Sequence, residues 1–165
     1  VLDDAELRRL MELVKWGPTS MNVSPARLVF LRTPEAKARL EPFLAEGDRA
    51  KAAQAPVVAI IATDLAFFEP MPRLFPHRSV KPLFANDPAL AEATALRNAT
   101  LQGGYLIMAA RALGLDCGPM SGFGAAFFKG ASLRANFLRA LGQGDPAALF
   151  PRHPRFDFDE FCTLL

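Results

Sequence analysis

Histidine, cysteine and the common catalytic motifs are scarce in this chain. Among 165 residues there are two cysteines and two histidines. Cys117 and Cys162 lack the spacing of a metal site, so no metal is expected and a reduced, cytoplasmic setting is the simplest expectation. Cys117 lies between Asp116 and Gly118 with no histidine nearby, which favours a buried spectator thiol over a nucleophile. His77 and His153 adjoin prolines in expected loops, where surface residues outnumber bases. There is no G-x-G-x-x-G after a strand, no P-loop, no H-E-x-x-H and no G-x-S-x-G. A chain so poor in acid–base groups either binds without reacting or takes its chemistry from a cofactor.

Long apolar runs and charge of one sign are missing too. No stretch reaches the roughly 18 apolar residues that cross a bilayer, so no membrane partner is expected. Val1-Leu2-Asp3-Asp4 has neither the basic start nor the apolar core of a secretory signal. Nineteen basic residues face 17 acidic ones, for a net charge of +2, and they are scattered. That balance points away from nucleic acid and toward surface solvation or one small anion.

What is present is apolar enough to fold. With 51% hydrophobic and 22% charged residues, residues 1–165 suit a single domain around one core. Residues 3–16 read as a helix: Asp3 caps it, Glu6 completes a capping box, and Leu7, Leu10, Met11 and Val14 share a face. Gly17-Pro18 stops it. Residues 27–32 suit a strand, and Thr33-Pro34-Glu35 opens another helix. Residues 56–63, Pro-Val-Val-Ala-Ile-Ile-Ala-Thr, have the composition of a strand covered on both faces. Residues 65–87 are rich in Phe and Pro without helical period, which predicts an irregular excursion, a lid or an interface arm. Residues 88–113 predict the longest helix, capped by Asp87 and apolar on nearly every side from Leu101 to Leu113. Such a helix needs burial, in a subunit interface or in a monomer core. Gly114 to Pro119 reads as a turn into an extended segment. Residues 131–142 fit helix or strand, and 158–165 a short last helix. The sum is an α+β fold, helices around a central sheet.

Three stretches carry chemistry. Lys15-Trp16-Gly17-Pro18-Thr19-Ser20-Met21-Asn22, continuing to Arg27, is a polar, proline-set loop able to offer hydroxyls, an amide and main-chain groups. On composition alone an ordinary capped turn is the favoured reading. Ala112-Leu113-Gly114-Leu115-Asp116-Cys117-Gly118-Pro119-Met120-Ser121-Gly122-Phe123 follows the long helix, with glycine permitting close backbone approach. Pro151-Arg152-His153-Pro154-Arg155 precedes the last helix. Its arginines suit a phosphate or a substrate carboxylate, or stand solvated in a loop.

Taken together, these blocks resemble the FMN-dependent nitroreductase family. Pro18-Thr19-Ser20-Met21-Asn22 with Pro25 is similar to its P-[ST]-S-x-N-x-x-P signature, and Ala112 to Phe123 to its A-L-G-L…P-x-x-G-[FY] block. The resemblance implies a mostly antiparallel sheet flanked by helices, an FMN site at a homodimer interface, and NADH or NADPH as hydride donor with alternating, ping-pong turnover. It implies Ser20 and Asn22, with Thr19 as a lesser candidate, at the flavin ring and ribityl chain. It further implies Pro119, Met120, Ser121 and Gly122 along the isoalloxazine, and Arg152 and Arg155 at the phosphate. No catalytic side chain is implied, since the flavin carries the chemistry. Lys15 to Ser20, Leu74-Phe75-Pro76-His77, Arg97-Asn98 and Gly118 to Phe123 are similar to the branch that reduces malonic semialdehyde to 3-hydroxypropionate in pyrimidine degradation. The likeness runs along essentially the whole chain. A nitroaromatic or quinone reductase and a non-catalytic flavin- or small-molecule-binding protein are the alternatives. Two departures stand out. The family's arginine- and serine-bearing helix on the FMN phosphate has no counterpart after Val1, and Phe123 to Phe128 is shorter than the segment expected there.

Overall fold

The computed structural model describes residues 2–124, 127–128 and 132–165. Its plan is set by β2, Val57–Asp64, in which every residue is buried. This strand is flanked by β1, Ala26–Leu31, and by β4, Leu133–Gly142; β3, Asp116–Met120, pairs with the far side of β4. The order is β1-β2-β4-β3 and each pairing is antiparallel. β-branched, uncharged residues explain why Val57 to Thr63 takes the centre, where both faces must be dry.

Successive side chains point to opposite faces of a strand, so β2 feeds two cores. Val57, Ala59 and Ile61 meet α1, Asp4–Val14, and α6, Pro88–Ala112, through Leu7, Leu10, Val14, Leu106 and Ala110. Val58 and Ile60 meet α2, Pro34–Leu40, and α3, Glu46–Gln54, through Leu40 and Ala52. Each fully buried Val or Ile contributes about 1.5–3 kcal/mol relative to exposure.

The helix starts follow their caps. The main-chain N–H of Glu6 donates to Asp3 Oδ1 at 2.8 Å, and that of Asp3 to Glu6 Oε2 at 2.9 Å, closing the expected box. Thr33 caps α2 with Pro34 in its first turn, and Asp87 accepts from Leu90 N at 2.9 Å to start α6.

The structure departs from the sequence-based expectation in four places. Residues 65–87 contain two short helices, α4, Met71–Leu74, and α5, Lys81–Ala85. They enclose a third apolar cluster of Val23, Phe67, Met71, Val80, Phe84, Ala91 and Ala95, so this segment is packed rather than irregular. Residues 133–142 are strand throughout; Ala131 and Ala125-Ala126 of the segment after Gly122 lie outside the described residues. The last helix, α7, covers only Phe158–Phe161. Finally, α6 is not covered all round in one chain: Ala99, Leu106 and Ala110 are buried, while Leu96, Leu101 and Met108 stay exposed. Among the described residues no helix is long and apolar enough to cross a membrane.

Candidate functional site

The loop after α1 is held from α6. A Cβ on Gly17 would lie 2.0 Å from Tyr105 Cδ2, so the ring sits where any other residue would need room. The Tyr105 hydroxyl then donates to the Pro18 carbonyl at 2.8 Å. One turn further, the main-chain N–H of Ser20 donates to Asn98 Oδ1 at 2.9 Å, and Thr19 Oγ1 accepts from Ser24 N at 3.2 Å. Asn22 Nδ2 donates to the Leu74 carbonyl at 2.8 Å, and buried Val23 pins the loop to the third cluster. Met21, Asn22 and Ser24 all have left-handed backbones, with φ of 49°, 54° and 40°. For residues with a Cβ that conformation costs about 1–2 kcal/mol each, least for Asn, and persists only where the surroundings impose it. The result exposes Ser20 and Asn22 and half-buries Thr19.

The second block forms the end of β3, one edge of the sheet, where one side of the main chain has no partner strand among the described residues. Pro119 and Ser121 are exposed. Met120 is 3% exposed, and its side chain packs in the core beside α2 and α3. Gly122 accepts from Ala45 N at 2.7 Å, and a Cβ there would fall 2.6 Å from Ala45 Cβ. Glycine is thus required by close packing against the start of α3.

A cleft of about 650 Å³ opens beside this edge. Its walls are Thr100 and Gly104 of α6, Pro119 to Ser121, and Asn136, Phe137 and Arg139 of β4. The β2–β4 ladder shifts register here: Ile61 pairs with Phe137 and Ala62 with Ala135, so Asn136 is the extra residue of a bulge. Asn136 Nδ2 reaches Thr100 Oγ1 at 2.9 Å. Arg139, paired in register with Pro119, lays its guanidinium over the Phe137 ring at 4.7 Å. Burial lowers its pKa, yet an arginine keeps its charge at any physiological pH. Burial also pushes the Cys117 thiol up, against the opposing pull of Arg139 and Arg111, so Cys117 is a neutral, half-buried thiol rather than a nucleophile.

The blocks do not converge within one chain. None of Thr19, Ser20 and Asn22 lines the cleft at Pro119; a separate cleft of about 550 Å³, bordered by Ser24, Arg27 and Arg73, lies beside their loop. Arg152 and Arg155 are also apart. Both are exposed on the tail that follows β4, and Arg155 donates only to the carbonyls of His153 and Pro154 in its own loop. Asn136, Thr100 and Arg139 were not foreseen from sequence. The signals were polar residues, Asn136 and Arg139, within a strand and a register visible only in three dimensions.

An antiparallel four-stranded sheet, a long helix beneath it and a cleft at its β3 edge define an α+β oxidoreductase scaffold of the kind the sequence blocks suggested. Residues 1–142 match the model of the Nitroreductase family, and the chain belongs to that family. A Burkholderia lata protein provisionally named NADH dehydrogenase/NAD(P)H nitroreductase is 60% identical over 99% of this chain and 86% of its own length. A protein of the same provisional name from Cupriavidus pinatubonensis is 55% identical over 98% of this chain and 86% of its own. The fold is shared with a nitroreductase, also provisionally named, from Exiguobacterium sibiricum whose crystal structure contains FMN: TM-score 0.85, 18% identity, 99% of this chain and 88% of that one.

Proposed function

We propose that this chain is one subunit of a homodimeric, cytoplasmic flavoenzyme that uses FMN and takes its electrons from NADH or NADPH. The observation that carries the proposal is the cleft along Pro119 to Ser121, at the end of an edge strand and just before the glycine-tight turn at Gly122. Its volume is within the range of small-molecule sites. The lining combines the amide of Asn136 and the hydroxyls of Thr100 and Ser121 with the apolar surfaces of Pro119 and Phe137, which suits a polar-edged planar ring.

The flavin, when bound, supplies the hydride chemistry that no side chain here provides. The chain's part is to position and to exclude water. Ser20, Asn22 and, to a lesser degree, Thr19 offer polar contacts from their clamped loop. The main chain of Pro119, Met120, Ser121 and Gly122 orients the ring, and Arg152 and Arg155 hold the phosphate. Exposed Leu96, Leu101 and Met108 on α6, and Phe150, Phe156 and Phe161 on the tail, support a second copy as the cover that completes the site. Residues 1–165 act as one FMN-binding domain in this reading.

For the acceptor we propose malonic semialdehyde, reduced to 3-hydroxypropionate, on the block similarity given above. The names of the two bacterial relatives favour a nitroaromatic acceptor as the second reading. The spectrum of the purified protein with added FMN, followed by anaerobic bleaching with NADH, tests the flavoenzyme; a protein that holds no flavin, or holds it without bleaching, refutes it. Steady-state comparison of malonic semialdehyde with nitroaromatics and quinones decides the acceptor.

A further inference from the structure

Among the described residues, six Lys and Arg side chains pair with a carboxylate. Arg27 meets Asp64 at 2.8 Å, Lys81 meets Glu69 at 2.6 Å, and Arg32 and Arg134 pair with Asp4 and Glu92. Arg139 differs. No carboxylate among the described residues pairs with it, none lines the cleft it faces, and its Nε is buried without any hydrogen-bond partner. A buried donor left unmade is costly, and a charged one more so. The Phe137 ring lies 4.7 Å from the guanidinium carbon, and the N–H groups around that carbon are the part that can bind a ligand.

We infer that Arg139 is a carboxylate anchor, holding a small organic acid in the cleft beside Pro119 and Ser121. A planar fork of N–H donors matches a carboxylate in two parallel hydrogen bonds. One guanidinium fork holds one carboxylate group. The helix in the wall contributes Thr100 and Gly104 from its middle, not the N-terminal dipole end that a phosphate dianion commonly uses. Asn136 and Thr100, already bonded to each other, give the acid a second polar contact across the cleft. Resting on the functional reading above, the anchored acid is the hydride acceptor, and Arg139 sets the preference for acidic over neutral acceptors.

The test uses the full-length protein at constant ionic strength. Malonate, a non-reducible probe, raises the Tm of the flavin-free protein while its neutral analogue malonamide does not, and R139Q abolishes the difference. In the FMN-loaded protein, R139Q raises KM for 4-nitrobenzoate by about tenfold or more, as expected for losing a charge-assisted pair, and leaves methyl 4-nitrobenzoate within about twofold. R139K, which keeps charge without the fork, retains part of the malonate shift and serves if R139Q does not fold. Equal malonate shifts in wild type and R139Q, or no shift in wild type, overturn the anchor. So does an R139Q variant that weakens FMN binding and treats acid and ester alike. If malonate protects through Arg139 but no flavin is taken up, the anchor stands and the functional reading falls.

Discussion

The main-chain N–H of Ser20 is bonded to the side chain of Asn98, 78 residues later, at 2.9 Å. Asn98 is 3% exposed, and its amide also donates to the Thr94 carbonyl at 2.9 Å, so both ends of the side chain are committed. Through it the long helix holds the loop that carries Thr19, Ser20 and Asn22.

Asn98→Ala strands one donor and one acceptor. It should cost about 1–3 kcal/mol of stability in urea unfolding and weaken FMN binding in a fluorescence titration. Asn98→Asp keeps the acceptor for Ser20 and should weaken FMN less. Full FMN affinity in Asn98→Ala would show that the loop does not need this clamp.

Gly17→Ala places a methyl inside the Tyr105 ring and must displace it, breaking the bond to Pro18. Overpacking of this kind costs about 1–3 kcal/mol. In a Tyr105→Ala background the same change should cost far less. A double-mutant cycle that finds the two changes additive would contradict the contact.

Leu106 and Met108 lie on the same helix but test different things. Leu106 is 0% exposed inside the subunit, and a polar residue there should unfold the chain. Met108 is 69% exposed, so Met108→Lys should leave a folded subunit and shift sedimentation from dimer to monomer. A wild-type protein that is already an active monomer at micromolar concentration removes the dimer from the proposal.

The raised pKa of Cys117 gives stability a pH dependence at the alkaline end. Folding favours the protonated thiol, so that contribution is whole below the unfolded cysteine value, about 8.5, and fades as pH rises through the higher folded value. Cys117→Ala should flatten the fall of Tm between neutral and alkaline pH. An unchanged profile assigns the fall to other groups.

How much of this was readable beforehand depends on locality. The capping box of Asp3 and Glu6, the Asp87-Pro88 start and the β-branched run of β2 are local signals, and those elements appear where expected. Helix α3 escaped notice because its nine residues bury only Ala52 and begin at Ala45, which cannot cap. β4 was ambiguous because the bulge at Asn136 breaks its alternation and charged residues stand at 134 and 139. Phe67 and Phe84 looked irregular since Phe67 lies in the turns before α4 and the helix that holds Phe84 is too short to show a period. In the site, Arg152 and Arg155 are suggested by the family resemblance, which places basic residues just ahead of the last helix. Arg139 became visible only through its register with Pro119 and its ring contact with Phe137.

The left-handed run at Met21, Asn22 and Ser24 contains no glycine, so the loop between α1 and β1 keeps its shape at the expense of the rest of the fold. A ligand meeting Ser20 and Asn22 meets groups already set in place, and the entropy of ordering them is lost during folding rather than during binding. Substituting glycine at Met21 would relax the backbone while moving that entropy loss onto the ligand. The more comfortable chain would be the weaker binder.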